Sequence, residues 1–204
     1  MKIVFDLDGT LICSKKRLHE LFCDLVVDNR DLSFDSYWQL KFDGNSNRDI
    51  LKNQFSYSDK YIDIFVADWM SKIETDYYLA MDIPIEGLQD FLNQIKVENQ
   101  LYVCTARQSI AQVKKQLKNF NILDLFDDIF VTEQKYTKAD LLIDSGIILS
   151  NEDWFVGDTG HDINTGKQLG IQTCAVLSGF MSENALKTYS PDRILVNVTY
   201  FDKA

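Results

Sequence analysis

Proline is scarce in this chain of 204 residues, which has two, Pro84 and Pro191. No stretch has the Pro-, Ser- or Gly-rich bias of a disordered linker, and no segment repeats another. The four cysteines, Cys13, Cys23, Cys104 and Cys174, show neither CxxC nor CxxxC spacing. They therefore suggest neither a zinc cluster nor a disulfide framework. No apolar run approaches the length of a membrane span. The first residues read as a strand that already carries Asp6, not as a secretory h-region, so the expectation is a cytoplasmic protein with reduced thiols and no membrane partner. Positive charge is also short: 21 Lys and Arg stand against 31 Asp and Glu, for a formal net charge of −10. Nucleic acid is thereby disfavoured, since a phosphate backbone needs a basic footprint. A small phosphorylated molecule is not, because a divalent cation and a few local basic groups can reverse the field inside one pocket.

At this length a chain can bury roughly 70% of its unfolded surface, so its core suffices without cross-links. Runs that read as strands fall at Lys2–Asp8, Leu101–Thr105, Ile129–Val131, Trp154–Gly157, Thr173–Leu177 and Ile194–Val198. Helical patterns at about 87–97, 109–119, 138–145 and 162–169 separate most of them. From Leu101 onward this alternation predicts an α/β fold with a doubly wound parallel sheet covered on both faces. In such sheets ligands gather at the carboxyl ends of the strands. The segment from about Ser14 to Met81 differs. It holds helix-like stretches rich in Leu, Phe, Tyr and Trp, at 18–27, 37–42, 48–55 and 60–78, and no clear strand. It reads as an inserted α-helical subdomain, residues 15–81, within a core made of 1–14 and 82–204. Pro84 and Gly87 punctuate the return to the core.

Candidate chemistry sits at four predicted strand ends. Asp6 and Asp8 follow the apolar run Ile3-Val4-Phe5. Two residues apart on a pleat they would share a face, their Cα atoms roughly 6–7 Å apart. Carboxylates that close repel unless a cation or a shared proton intervenes. Gly9-Thr10 then turns the chain. Thr105 ends the second run, and the N–H groups of Ala106 and Arg107 entering a helix would form an anion cradle; alone, Thr105 reads as a helix N-cap. Lys138 opens a helix, where the plain reading is a solvated lysine. Gly157-Asp158-Thr159-Gly160-His161-Asp162 adds two carboxylates, Asp162 also being a natural first-turn residue. Together, hard carboxylate oxygens suit Mg²⁺, and hydroxyl, ammonium and amide groups suit phosphate.

Phe5-Asp6-Leu7-Asp8-Gly9-Thr10-Leu11, Val103-Cys104-Thr105-Ala106, Lys138 and Val156-Gly157-Asp158-Thr159-Gly160-His161-Asp162 resemble the four motifs of the haloacid dehalogenase-like hydrolases, in their phosphatase branch. The stretches Gly170–Phe180 and Ser190-Pro191-Asp192 are similar to phosphoglycolate-phosphatase-like members. The resemblance implies a Rossmann-like core with a helical cap inserted after the first strand. It implies an Mg²⁺-dependent phosphatase that hydrolyses a small phosphate monoester through an aspartyl-phosphate. Asp6 would be the nucleophile, and Asp8 the general acid and base, its pKa raised relative to Asp6. Thr105, Ala106 and Lys138 would bind the transferring phosphoryl group, with Lys135 an alternative to Lys138. Asp6, the backbone carbonyl of Asp8, and Asp158 would hold the metal, supported by Asp162. Arg48, beside Gly44-Asn45-Ser46-Asn47, would point from the cap at the substrate. Arg107 is a possible pocket cation; His19 and His161 have no implied role. Phosphoglycolate, sugar phosphates and nucleotide monophosphates all fit, as does a monomer or a homodimer. The alternatives are a phosphomutase of the β-phosphoglucomutase type and a non-catalytic phosphate-binding regulator.

Overall fold

Lys2–Phe5 forms a strand, β1, in which Ile3, Val4 and Phe5 are completely buried. A strand apolar on both faces belongs in the middle of a sheet covered on both sides, and β1 lies there. In the computed structural model, which describes residues 1–27 and 32–203, six strands pair in the order β5-β4-β1-β6-β7-β8. They are β4 (Gln100–Thr105), β5 (Asp128–Val131), β6 (Trp154–Gly157), β7 (Gln172–Val176) and β8 (Arg193–Leu195) beside β1. Every pairing is parallel. Phe5 is in register with Val103 on one side and Val156 on the other. The carboxyl ends of β1, β4 and β6 therefore gather at one edge, β4 running two residues and β6 one residue past the level of Phe5. After β5 the chain crosses back to β6 on the far side of β1, which makes this edge the topological switch point of the sheet.

Alternation along β1 decides which helices cover which face. Ile3 and Phe5 pack with Leu88, Phe91, Leu92 and Ile95 of α6 (Leu88–Lys96) and Val113 and Leu117 of α7 (Ile110–Asn119). Val4 packs on the other face with Leu142 of α8 (Lys138–Asp144), Phe155 and Ile171. The helix α9 (Gly160–Gln168) follows β6, and α10 (Glu183–Lys187) follows β7.

Between β2 (Ile12–Cys13) and β3 (Ile83–Pro84) lie α1 (Lys15–Leu25), α2 (Phe34–Phe42), α3 (Asn47–Phe55), α4 (Asp59–Lys72) and α5 (Asp76–Leu79). Helices α1–α4 share an apolar cluster centred on Phe22, Tyr37, Trp38, Leu51, Ile62 and Phe65, and Tyr78 of α5 packs beside it with Leu21 and Ile73. Ser46 starts α3 with a reciprocal capping box to Asp49, which satisfies two otherwise orphaned helix amides. The two short strands pair antiparallel, Ile12 opposite Pro84, so one narrow ribbon carries the chain out of the sheet and back. Pro84 is tolerated because it has no further neighbour to donate to. Among the described residues no helix is long and apolar enough to cross a membrane.

Several expectations need correction. The ribbon, α10 and a 3₁₀ turn at Val198–Lys203 were not foreseen. The single helix expected at 60–78 is two, broken at Ile73–Thr75. Regular strand geometry in β1 stops at Phe5, short of the expected Asp8. The amide of Asp6 still bonds to the Val156 carbonyl, and then Leu7 O receives the N–H groups of Leu11 and Ile12 in a tight turn. Asp6 and Asp8 therefore do not share one pleated face.

Candidate active site

The turn after β1 drops Asp6 into the gap between the ends of β4 and β6. There it is 6% exposed. Asp158, the first residue beyond β6, is completely buried beside it. The Phe180 amide donates to Asp158 Oδ2 at 2.8 Å, and the Thr10 hydroxyl reaches Oδ1 at 3.3 Å. Only glycine fits against this carboxylate: Gly9, at φ +88°, would carry a Cβ 2.5 Å from Asp158 Oδ2. Asp162, in the first turn of α9, accepts the amide and hydroxyl of Thr159 on Oδ2. Its Oδ1 accepts from Lys138 Nζ at 2.6 Å. Lys138, first residue of α8, also donates to Asp6. Thr105 closes β4, buried, and lines the same cavity.

Asp6, Asp158 and Asp162 each present an oxygen within 4.8 Å of the others. Three buried carboxylates face a single ammonium, Lys138, so these four groups sum to −2 if all are ionised. Burial first, then the neighbouring Asp162 and Asp8, push Asp6 up from 3.8 to about 7 in spite of Lys138. Burial, Asp6 and Asp162 push Asp158 well above the usual carboxylate range. Lys138 is pulled up by Asp162 and Asp6 against its burial. A set of hard oxygens carrying uncompensated negative charge fits a dication such as Mg²⁺.

Asp8 does not join this cluster. Its side chain turns to two arginines. Arg107 grips it with Nε and with Nη2, the latter at 2.7 Å, and Arg17, from α1, donates through Nη2. Both guanidiniums also reach Asp82, which is held by Gln116 from α7. Burial would raise the Asp8 carboxyl, but Arg107 and Arg17 outweigh it and hold it well below the usual carboxylate range. The expected order, Asp8 raised relative to Asp6, is thus reversed: the guanidiniums sit on Asp8 and the acidic neighbours on Asp6.

The cavity above these groups measures about 360 Å³. Asp6, Thr105, Lys138 and Asp158 form its floor, and Leu18, Trp69, Met70 and Phe180 its apolar walls. A second hollow, about 380 Å³ between α5 and α7, holds no part of the acidic cluster. Ala106 lines the first cavity, but the expected cradle is altered. Helix α7 begins only at Ile110, and the leading amides, of Gln108 and Ser109, bond to the Glu74 carboxylate at 2.6 and 3.1 Å. Lys135 points outward to Glu133, which leaves Lys138 as the lysine at Asp6. Arg48 pairs with Asp63, both solvent-exposed, and does not line the cavity. His161 stands exposed at the rim, and His19 bonds the Leu32 carbonyl. Arg17, Asp82 and Gln116 gave no sequence signal: Arg17 ends the run Lys15-Lys16-Arg17, which reads as a solvated helix start.

The sequence profile of the family described as haloacid dehalogenase-like hydrolase matches residues 3–176, which carry every one of these groups except Phe180. The chain belongs to this family. Among curated relatives, the pyrophosphatase PpaX of Oceanobacillus iheyensis is 23% identical over 200 residues, spanning 96% of this chain and 92% of its own length. Solved haloacid dehalogenase-like folds agree. A Clostridium difficile protein described as a candidate phosphatase superposes with a TM-score of 0.81 at 21% identity, covering 98% of this chain and 96% of its own. A Haemophilus somnus protein described as a candidate phosphoglycolate phosphatase gives 0.76 at 19%, covering 99% and 96%.

Proposed function

We propose that this haloacid dehalogenase-like hydrolase is a Mg²⁺-dependent phosphatase that acts on a small phosphorylated molecule through an aspartyl-phosphate on Asp6, with helices α1–α5 serving as its cap. The convergence of Asp6, Asp158 and Asp162 oxygens within 4.8 Å, with Lys138 bonded to two of them, carries this reading. The names of the relatives, pyrophosphatase and candidate phosphatases, agree with it.

Asp6 and Asp158, with the Asp8 carbonyl and support from Asp162, would hold the ion. When bound it neutralises the carboxylates and draws charge from the phosphoryl oxygens. The chain's own groups then divide the work. An Asp6 oxygen attacks phosphorus while the bond to the leaving oxygen breaks. The Asp8 carboxyl, turned away from the two guanidiniums and protonated from solvent, gives its proton to that oxygen. A water next attacks the same phosphorus, Asp8 takes the water's proton, and the bond to Asp6 breaks. Lys138 and Thr105 donate to the phosphoryl oxygens. Such transfer rests on alignment and charge stabilisation more than on covalent chemistry. The walls formed by Leu18, Trp69 and Phe180 exclude water around the reacting groups.

Purified protein is expected to release p-nitrophenol from p-nitrophenyl phosphate only with Mg²⁺, Mn²⁺ or Co²⁺ present. Asp6→Asn is expected to abolish this. No turnover with any of the three metals would overturn the phosphatase reading in favour of a non-catalytic phosphate binder.

A further inference from the structure

Two buried guanidiniums are committed to the residue that, in the mechanism above, has to move. Arg17 is 2% exposed and Arg107 4%. Arg17 spends Nη1 on the Ile73 carbonyl at 3.1 Å, Nε on Asp82 at 3.0 Å, and Nη2 on Asp8. Arg107 spends Nε and Nη2 on Asp8, and Nη2 also on Asp82 and Gln116. Its Nη1 is buried with no acceptor among the described residues. A buried charged donor without a partner is costly, so Arg107 keeps unspent donor capacity for one more oxygen.

Asp8 cannot keep these bonds and also serve the leaving group. A carboxylate has about four acceptor positions, and Asp8 uses three of them on guanidinium N–H groups. When it turns to the scissile bond, Arg17 and Arg107 are left with Asp82 as their one buried anion. Two buried positive charges then face one buried carboxylate, with the half-buried Glu74 the further anion acting on Arg107. A neutral leaving group leaves that imbalance standing. An anionic leaving group removes it, and it arrives at the right spot, because whatever grips Asp8 adjoins the oxygen Asp8 must protonate.

We propose that Arg17 and Arg107 form an anion subsite on the leaving-group side of the cavity, filled by Asp8 in the empty protein and by a second anionic group of the substrate during turnover. The inference rests on the phosphatase reading and narrows it. The preferred substrate carries a carboxylate or a further phosphoryl group within a few bonds of the scissile phosphorus–oxygen bond. Planar guanidinium forks take either group in bidentate fashion. Arg107 is the specificity residue, since its Nη1 is the guanidinium nitrogen of the pair that has no acceptor among the described residues. Arg17, which joins the helical insert to the core, holds the second side.

The test compares three substrates under Mg²⁺. The first is 2-phosphoglycolate. The second is 2-hydroxyethyl phosphate, which has CH₂OH in place of the carboxylate. The third is pyrophosphate, which supplies a phosphoryl group instead. At least one anionic substrate is expected to exceed 2-hydroxyethyl phosphate by about tenfold or more in kcat/KM. Which one does so tells a carboxylate from a phosphoryl partner. In Arg107→Gln that preference is expected to collapse towards unity, chiefly through KM for the anionic substrate, and Arg107→Lys is expected to restore part of it. Equal kcat/KM for all three in the wild type would overturn the subsite and leave the phosphatase reading intact, as would an unchanged preference in a folded Arg107→Gln. The wild-type comparison decides alone if the variants do not fold. Failure to hydrolyse any of them, p-nitrophenyl phosphate included, would overturn the phosphatase reading and the subsite with it.

Discussion

Replacing Asp6 by asparagine is expected to make the metal-free protein more stable while removing its activity. Asp6 lies 6% exposed beside two other carboxylates. Its pKa is raised from 3.8 to about 7, burial being the largest cause. A carboxyl whose pKa rises on folding favours the native state when protonated. Its contribution is fully present below about pH 4 and is lost as pH climbs through about 7. At pH 7.5 the shift of about three units, at ~1.4 kcal/mol each, corresponds to ~4 kcal/mol against folding. Asparagine keeps the shape and drops the charge, so that is the upper limit of the gain. At pH 5 ionisation of Asp6 in the unfolded chain is barely one unit advanced, and the gain falls to ~2 kcal/mol. For a chain of this size ~4 kcal/mol corresponds to roughly 10 °C in Tm. The assay is thermal or urea unfolding of both proteins in chelator at pH 5 and 7.5. Comparing them at the same pH cancels the other titrating groups. Added Mg²⁺ is expected to raise the wild-type Tm and to narrow the gap, since ligand binding to the native state stabilises it. A variant no more stable than wild type at pH 7.5, or a gain independent of pH, would refute the claim that this cluster is electrostatically frustrated.

Asp158→Ala is expected to abolish the Mg²⁺-dependent rise in Tm, because it removes one of the three converging oxygens; an unchanged metal titration removes Asp158 from the site. Gly9→Ala places a methyl 2.5 Å from Asp158 Oδ2 at a positive φ, so a loss of roughly 2–5 kcal/mol is expected in urea unfolding. A loss under about 1 kcal/mol would show that the turn relaxes. Arg48→Ala breaks a surface pair with Asp63, and the expectation is less than about 0.5 kcal/mol in stability and kcat/KM within about twofold of wild type. A larger kinetic effect would mean that Arg48 swings into the cavity.

The sheet was legible because each core strand is a short apolar run between turn residues, and its period differs from that of the flanking helices. The last three residues of β1, Ile3 to Phe5, are buried as their composition demands. Its end was misplaced by three residues: Leu7 is apolar and continues the pattern, but its carbonyl is committed to a turn and not to a ladder. Asp6, Lys138, Asp158 and Asp162 were found together because each is a charged residue where an apolar strand ends or a helix begins. The grip on Asp8 was not legible. It depends on Arg17, Asp82, Arg107 and Gln116, which are separated by up to 99 positions in the chain and whose residue types are at home on any surface. Only packing shows that Arg17, the last of three consecutive basic residues, is buried while Lys16 is exposed and Lys15 lies over the Trp38 and Phe42 rings. The break in the long helix at Ile73–Thr75 was equally hidden. It puts Glu74 on the amides of Gln108 and Ser109, a bond between distant segments that no local periodicity encodes.

The two charge clusters impose an order on the site. Asp6, Asp158 and Asp162 against Lys138 sum to −2 when all are ionised, at the position where the proposed reaction puts the phosphoryl group. A phosphate dianion approaching that floor is repelled, and in a low-dielectric pocket the repulsion is not screened. A dication would bring the ionised floor to neutrality, so on the proposed reading phosphate affinity and metal affinity are coupled, each raising the other by the same factor. The neighbouring cluster behaves oppositely. Arg17 and Arg107 against Asp8 and Asp82 sum to zero as found, and become positive only when Asp8 leaves. On the proposed mechanism, attraction for a second anion is therefore created by the movement that brings Asp8 to the leaving group. A molecule with phosphate alone satisfies the first cluster and strands the second. One with an anion on each side of the scissile bond satisfies both, which is why the grip on Asp8 bears on substrate choice as well as on the timing of proton transfer.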